Sequence, residues 1–310
     1  MKGGWQILLN FSFVLVILLF LIELPAQAAI ETFSNSRASA FFDRGIENTN
    51  NHNYQQALSD FTRVINLKTD FVSAAYSNRC LVQLQLGNNQ AAKSDCTAAL
   101  QLNPDNAEAY LNRGLAEYRL GNYPAAIKQY QEVIQRIEDD YRAYYNQGLA
   151  YFAQQDYEKA LDDYERALLL NNVNSASGKA SIYNDKGLVY LMLSDLRAAI
   201  ADLSEAIRLD SSNERAYYNR ACAYHRNHNY TAAIADFTQV LKLNPHYAQA
   251  YVNRGLLRHE IGLEQAAIED FKTALNYFNE RGKIGAYQQT LALMKQLQQI
   301  LAQSNRSDFS

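Results

Sequence analysis

One short pattern constrains this chain more than any other feature. Asn112-Arg113-Gly114 recurs as Asn219-Arg220-Ala221 and Asn253-Arg254-Gly255, with Asn78-Arg79-Cys80 as a fourth copy. An aromatic stands two residues before each (Tyr76, Tyr110, Tyr217, Tyr251) and an alanine twelve residues after the last member (Ala92, Ala126, Ala233, Ala267). Extended along the chain, the register places repeats starting at Ala38, Ser73, Ala107, Tyr141, Ala180, Glu214 and Ala248, 34 residues apart except at two steps. The longer step carries five extra residues in the Ser/Asn-rich stretch Asn171–Gly178, which reads as a loop. A unit of this length holds one helix–turn–helix, which cannot bury its own apolar face. It gains a core only by stacking on its neighbours.

The pattern resembles the tetratricopeptide repeat family, with small residues at positions 8, 20 and 27 and aromatics at 4, 17 and 24. The small residues let the two helices of a hairpin touch, and the aromatics fill the space beside them. The likeness covers residues 38–281. It is weakest in repeats 1 and 5, which keep Phe41 and Tyr183 at position 4, while Leu203 takes the aromatic slot at 24 in repeat 5. It implies an all-α fold, a right-handed superhelical solenoid of seven helix-turn-helix repeats, that binds a protein or extended peptide in a groove. Residues 282–303 continue the helical pattern, with Leu293, Leu297, Ile300 and Leu301 on one face. They are expected to cap the last repeat; a coiled-coil arm is the alternative, and 304–310 form a tail.

Residues 1–28 differ from the rest. Lys2 precedes an apolar run from Ile7 to Ile22, followed by Pro25 and Ala26-Gln27-Ala28, the layout of a secretory signal peptide. The run is short for a membrane span, which needs about 20 residues. Cleavage after Ala28 would export the chain to a periplasm, lumen or the extracellular space, with 29–37 as a linker. An uncleaved segment would anchor the same repeats to a membrane, the only membrane contact expected.

No Gly-rich phosphate loop, nucleophile elbow or zinc-protease motif occurs, so neither catalysis nor a cofactor is expected. His225 and His228 stand three apart and could approach His259, but as solvated turn residues they need no metal. The net charge of −3 argues against a nucleic-acid partner. Within a tetratricopeptide fold the expected groove lining is apolar with tyrosine: Leu115, Tyr145, Leu149, Tyr218 and Leu256. The family's carboxylate-clamp subtype wants Lys at position 5 and Asn at 9, and these are absent. Position 6 carries Asn78, Asn112, Asn146, Asn219 and Asn253, replaced by Asp43 and Asp185 in repeats 1 and 5. An amide both donates and accepts, so such a row suits an extended backbone; it is similar to the asparagine ladder of the O-GlcNAc transferase repeats. The same amides could instead bond a neighbouring helix. A self-associating structural solenoid, or an assembly subunit of a membrane-associated complex, is the alternative to a peptide-binding scaffold.

Two further patterns give expectations. Position 7 is mostly basic and position 23 mostly acidic. Matching each position 23 to position 7 of the next repeat gives Asp60–Arg79, Asp95–Arg113, Gln129–Gln147, Asp163–Lys186, Asp202–Arg220 and Asp236–Arg254, in which the two neutral residues meet. These pairs are expected to clip adjacent repeats together. Cys80 and Cys96 occupy positions 8 and 24 of repeat 2, facing each other across the hairpin, either as a disulfide or as two packed thiols.

Overall fold

The computed structural model describes residues 31–170 and 176–307, and all regular structure among them is helical. The chain divides into two compact units that meet between Glu138 and Asp139. The first holds α1 (31–50), α2 (Tyr54–Leu67), α3 (Val72–Gln85), α4 (Asn89–Leu102), α5 (Ala107–Arg119) and α6 (Tyr123–Arg136). The second holds α7 (Tyr141–Ala153), α8 (Tyr157–Leu169), α9 (Ala176–Met192), α10 (Leu196–Leu209), α11 (Glu214–Arg226), α12 (Tyr230–Leu243), α13 (Ala248–Glu260), α14 (Glu264–Glu280) and α15 (Ile284–Ser307). Each consecutive pair from α1–α2 to α13–α14 is one of the seven repeats. Three boundaries differ from expectation. Residues 31–37 belong to α1 rather than to a linker, and residues 176–178 begin α9 rather than ending a loop. The last helix runs four residues beyond 303. The expected signal segment and residues 171–175 lie outside the described residues.

Small residues at position 8 set the helix contact within a hairpin. A Cβ on Gly114 would fall 2.5 Å from the Tyr130 ring, and one on Gly148 2.6 Å from Tyr164, so each glycine is the floor on which a buried aromatic of the second helix lies. The turn between the two helices has one conformation throughout. Its residue at position 15 is left-handed, whether it is Gly121 (φ 80°), Gly262 (78°), Gln155 (64°), Ser194 (64°) or His228 (56°). In three hairpins the following residue caps the second helix with its side chain: Asp156 accepts from the Lys159 N–H, Asp195 from Ala198 and Asn229 from Ala232.

Within each unit the hairpins are joined by polar side chains as well as by the core. In the first unit Arg119 donates to the Leu84 carbonyl at 2.6 Å, and in the second Arg226 does the same to Leu191 at 2.5 Å. Both carbonyls, at the C-terminus of the preceding repeat's first helix, also accept a turn N–H, from Gly87 and Ser194 respectively, and a cation there is favoured by the helix dipole. The helix α15 lays Leu293, Met294, Leu297 and Leu301 against the α13–α14 core and exposes Gln288, Gln289, Gln298 and Gln299. It is therefore a cap with a polar outer face, the form a terminal repeat needs, and not a coiled-coil arm.

Candidate functional site

The acid and base at positions 23 and 7 meet within a hairpin, not between repeats. Arg79 donates to Asp95 through Nε at 2.8 Å and Nη2 at 2.6 Å. Arg220 reaches Asp236 at 2.8 and 2.9 Å, and Arg254 reaches Asp270 at 2.9 and 2.6 Å. Arg44 forks onto Asp60 in the same way, and Lys186 lies 3.6 Å from Asp202. Arg113 bonds the neutral Gln129 at 2.9 Å, and the neutral Gln147 bonds Asp163 at 3.2 Å. The expected pairing of Asp60 with Arg79, Asp95 with Arg113, Asp163 with Lys186, Asp202 with Arg220 and Asp236 with Arg254 is thus corrected. Because residue 8 touches residue 24 across the hairpin, residues 7 and 23 must also be neighbours. The link to the preceding repeat exists, but through position 25: Arg79 Nη1 reaches Thr62 Oγ1, Arg220 reaches Ser204 and Arg254 reaches Thr238, each at 3.0 Å. Lys186 reaches Glu165 at 3.2 Å.

The position-6 row divides between repeats 2–4 and repeats 5–7. In repeats 5–7 its members bond position 5 of the repeat before. Asn219 Nδ2 donates to Asn184 Oδ1 at 3.0 Å, and Asn253 Nδ2 donates to the Tyr218 hydroxyl at 3.0 Å. Asp185, the acid in this row, accepts from the Tyr145 hydroxyl at 2.7 Å, from Asn184 Nδ2 at 2.9 Å and from Arg215 at 3.3 Å. A polar ribbon therefore runs across α7, α9 and α11 and resumes between α11 and α13. Burial raises the Asp185 carboxyl above its ordinary pKa, while these donors pull it back. Asn146 makes no side-chain hydrogen bond among the described residues and stays half-buried. In the first unit Asn78 donates to the Ala74 carbonyl of its own helix at 2.9 Å, and Asn112 is as unengaged as Asn146. Position 5 alone does not sort them: Tyr218 and Asn184 carry the acceptor that is used, but Ser77 also carries a hydroxyl at that place and Asn112 of the next repeat does not bond it.

The expected groove lining is half-buried. Leu115 packs against the α3–α5 core, Tyr145 and Leu149 against the α7–α9 core, and Tyr218 against Phe237, 5.4 Å between ring centres, and flat on Tyr247 at 5.1 Å. Burial pushes the Tyr218 phenol up to about 12, so it stays protonated. Leu256 differs: it lines a small cavity with His259, Phe271, Leu293, Leu297 and Ile300, so the cap takes the place of a partner there. Cys80 and Cys96 are joined by a disulfide, Cα to Cα 5.4 Å. Cys222 is free, and burial pushes its thiol up to about 11.

The histidines serve the turns. His228 is the left-handed turn residue and its Nδ1 meets the Tyr230 hydroxyl at 3.1 Å, while His259 pairs with Glu264 at 2.7 Å. Among the described residues no group of three His, Cys, Asp or Glu side chains could hold a metal, and no helix is long and apolar enough to cross a membrane.

Stacked helical hairpins with 34-residue spacing, glycine–aromatic contacts and half-buried first-helix faces define a helical repeat protein. The chain belongs to the tetratricopeptide repeat family: profiles of that repeat match residues 81–141, 139–212, 214–247 and 248–280. No curated protein matches the sequence. Among solved structures it is similar to a tetratricopeptide repeat protein from Parabacteroides merdae, at 19% identity and TM-score 0.63, covering 83% of this chain and 99% of that one. It is also similar to pilF of Pseudomonas aeruginosa, at 20% identity and TM-score 0.60, covering 72% and 98%. MamA of Desulfovibrio magneticus, at 20% identity and TM-score 0.51, covers 56% and 96%. At these identities the likeness is one of fold.

Proposed function

We propose that this chain is a non-catalytic scaffold outside the cytoplasm that holds a protein or an extended peptide against the first-helix faces of its hairpins. The observation that carries the reading is the contrast within the position-6 row. Asn219 and Asn253 have their amides tied to the neighbouring repeat, whereas Asn112 and Asn146 hold unengaged amides beside half-buried Leu115 and Leu149. An unengaged amide next to apolar side chains offers what a peptide backbone and its apolar residues require. The leading segment 1–28 and the Cys80–Cys96 bridge both suit an oxidising, exported setting.

The test is affinity capture from the exported compartment with the native chain and with Asn112→Ala, followed by titration of a peptide from whatever is captured. Loss of binding in the variant, with thermal unfolding unchanged, supports the reading. Equal capture by both removes this face from it. Concentration-dependent sedimentation of the isolated chain would favour the self-associating solenoid instead.

A further inference from the structure

The hairpin α7–α8 departs from its counterparts at the one place where they carry an ion pair. In four of them an arginine at position 7 forks onto the acid at 23. In α7–α8 the cation is replaced by Gln147, while Asp163 remains and is buried. A single bond joins the two, Gln147 Nε2 to Asp163 Oδ1 at 3.2 Å. Each partner keeps an acceptor that meets no donor: Gln147 Oε1 and Asp163 Oδ2 are both buried and unpartnered. Two orphan acceptors in one buried pair would each forfeit a bond worth having. A single proton on Asp163 Oδ2 satisfies both, because a carboxylic acid and a carboxamide can exchange two hydrogen bonds where a carboxylate and a carboxamide exchange one.

We propose that the Gln147–Asp163 pair is a proton-binding site that ties α7 to α8 in its protonated form and loosens the hairpin when the proton leaves. Among the described residues no Lys or Arg forms an ion pair with Asp163. From α9, Lys186 is engaged by Glu165 at 3.2 Å and Asp202 at 3.6 Å. On α8, Lys159 is held by Asp156 at 2.6 Å, and the charge of Asp162 opposes ionisation of Asp163. From α7 the Tyr151 phenol is coupled to it, itself raised by burial and by Asp163. Burial pushes the Asp163 carboxyl up to about 7, with the Gln147 bond acting the other way.

An aspartate in the unfolded chain titrates near ~3.9. Between there and about 7 the folded chain keeps a proton that the unfolded chain has released. This stabilisation is full below the unfolded value and is lost as pH rises through about 7. The helix α7 also carries Tyr145, Asn146 and Leu149. If the proposed partner-binding face is right, partner affinity will follow the same proton, a consequence that rests on that reading.

The test needs no partner. Side-chain carboxyl 13C resonances of the full mature chain are titrated from pH 3 to 9. The Asp163 signal is identified by its absence in Asp163→Asn, and independently by its displacement in Gln147→Arg, which restores the usual clip. A midpoint near 7 in the native protein that drops to the ordinary range near ~4 in Gln147→Arg supports the proposal. A native midpoint below about 5 overturns it. Should Asp163→Asn fail to fold, the Gln147→Arg displacement still makes the assignment.

Discussion

Asn253 donates its amide to the Tyr218 hydroxyl at 3.0 Å, one repeat step away, and Asn219 is bound to Asn184 by the same offset. These two position-6 asparagines are inter-repeat bonds before they are anything else. Replacing either by Ala is expected to lower stability by about 0.5–1.5 kcal/mol, the value of a neutral hydrogen bond. Asn112→Ala should leave it unchanged within about 0.5 kcal/mol and weaken partner binding instead. Thermal unfolding of the three variants checks the split, and an equal loss in all three would place the whole row in the scaffold.

Arg254 and Arg258 both donate to Asp270, whose carboxylate is 4% exposed. Arg254→Gln removes a fork from a buried acid and leaves the acid in place. Removing one partner of a buried pair costs about 3–5 kcal/mol; Arg258 retains one bond, so the loss should lie at the lower end. Double variant Arg254→Met/Asp270→Leu should cost less than the single change, because it leaves no buried carboxylate and only Arg258, 23% exposed, to find a new partner or water. Denaturant midpoints for the two decide it. A double variant worse than the single would mean that the pair contributes more than it costs to bury.

The repeats themselves were legible because their signal is redundant: the same side chains recur at the same offsets seven times. The pairing of charges was misread for a definable reason. Placing the neutral Gln129 against Gln147 made every pair match in charge, but charge matching says nothing about distance. The contact of residue 8 with residue 24 does, and it makes Arg113–Gln129 and Gln147–Asp163 neighbours whatever their charges. The extension of α1 back to 31 left little trace, since the stretch before Ala38 has no repeat register to read. The αL turn showed only where glycine marks it, at Gly87, Gly121 and Gly262, and was hidden where His52, Gln155, Ser194 and His228 adopt the same conformation.

That conformation carries a stability prediction. A non-glycine residue in the left-handed region costs roughly 1–2 kcal/mol, and glycine avoids this while losing more backbone entropy on folding. Gln155→Gly is therefore expected to raise stability by about 0.5–1 kcal/mol. A scanning calorimetry comparison with the native chain suffices. A lowered midpoint would mean that the Gln155 side chain makes a contact that matters more than its backbone angle.

The export reading predicts a mature chain beginning at Ala29. N-terminal sequencing of protein recovered from its native compartment should find it. Retention of Met1 would mean that the apolar segment stays attached and anchors the repeats.

The last prediction concerns Cys80 and Cys96, which hold the two places where other hairpins set a small residue against an aromatic. Both are fully buried, so as thiols they would serve as ordinary small core residues. What separates bridge from thiols is distance. Because residues 8 and 24 face each other across the hairpin, their Cα atoms stand 5.4 Å apart, inside the limit of about 7 Å for bridging, and the disulfide forms. Denatured without reductant, the mature protein should show one reactive thiol, that of Cys222. A count of three would exclude the bridge. Closing a loop of this length contributes about 3 kcal/mol in the chain-entropy model, so reduction should destabilise the unit ending at Glu138 by roughly that amount. The unit beginning at Asp139 holds no bridge among its described residues and should be unaffected. Hydrogen exchange with and without reductant reads the two units separately: faster exchange confined to α3 and α4 and their neighbours is expected, and an equal acceleration in α11 to α14 would show that reduction acts elsewhere.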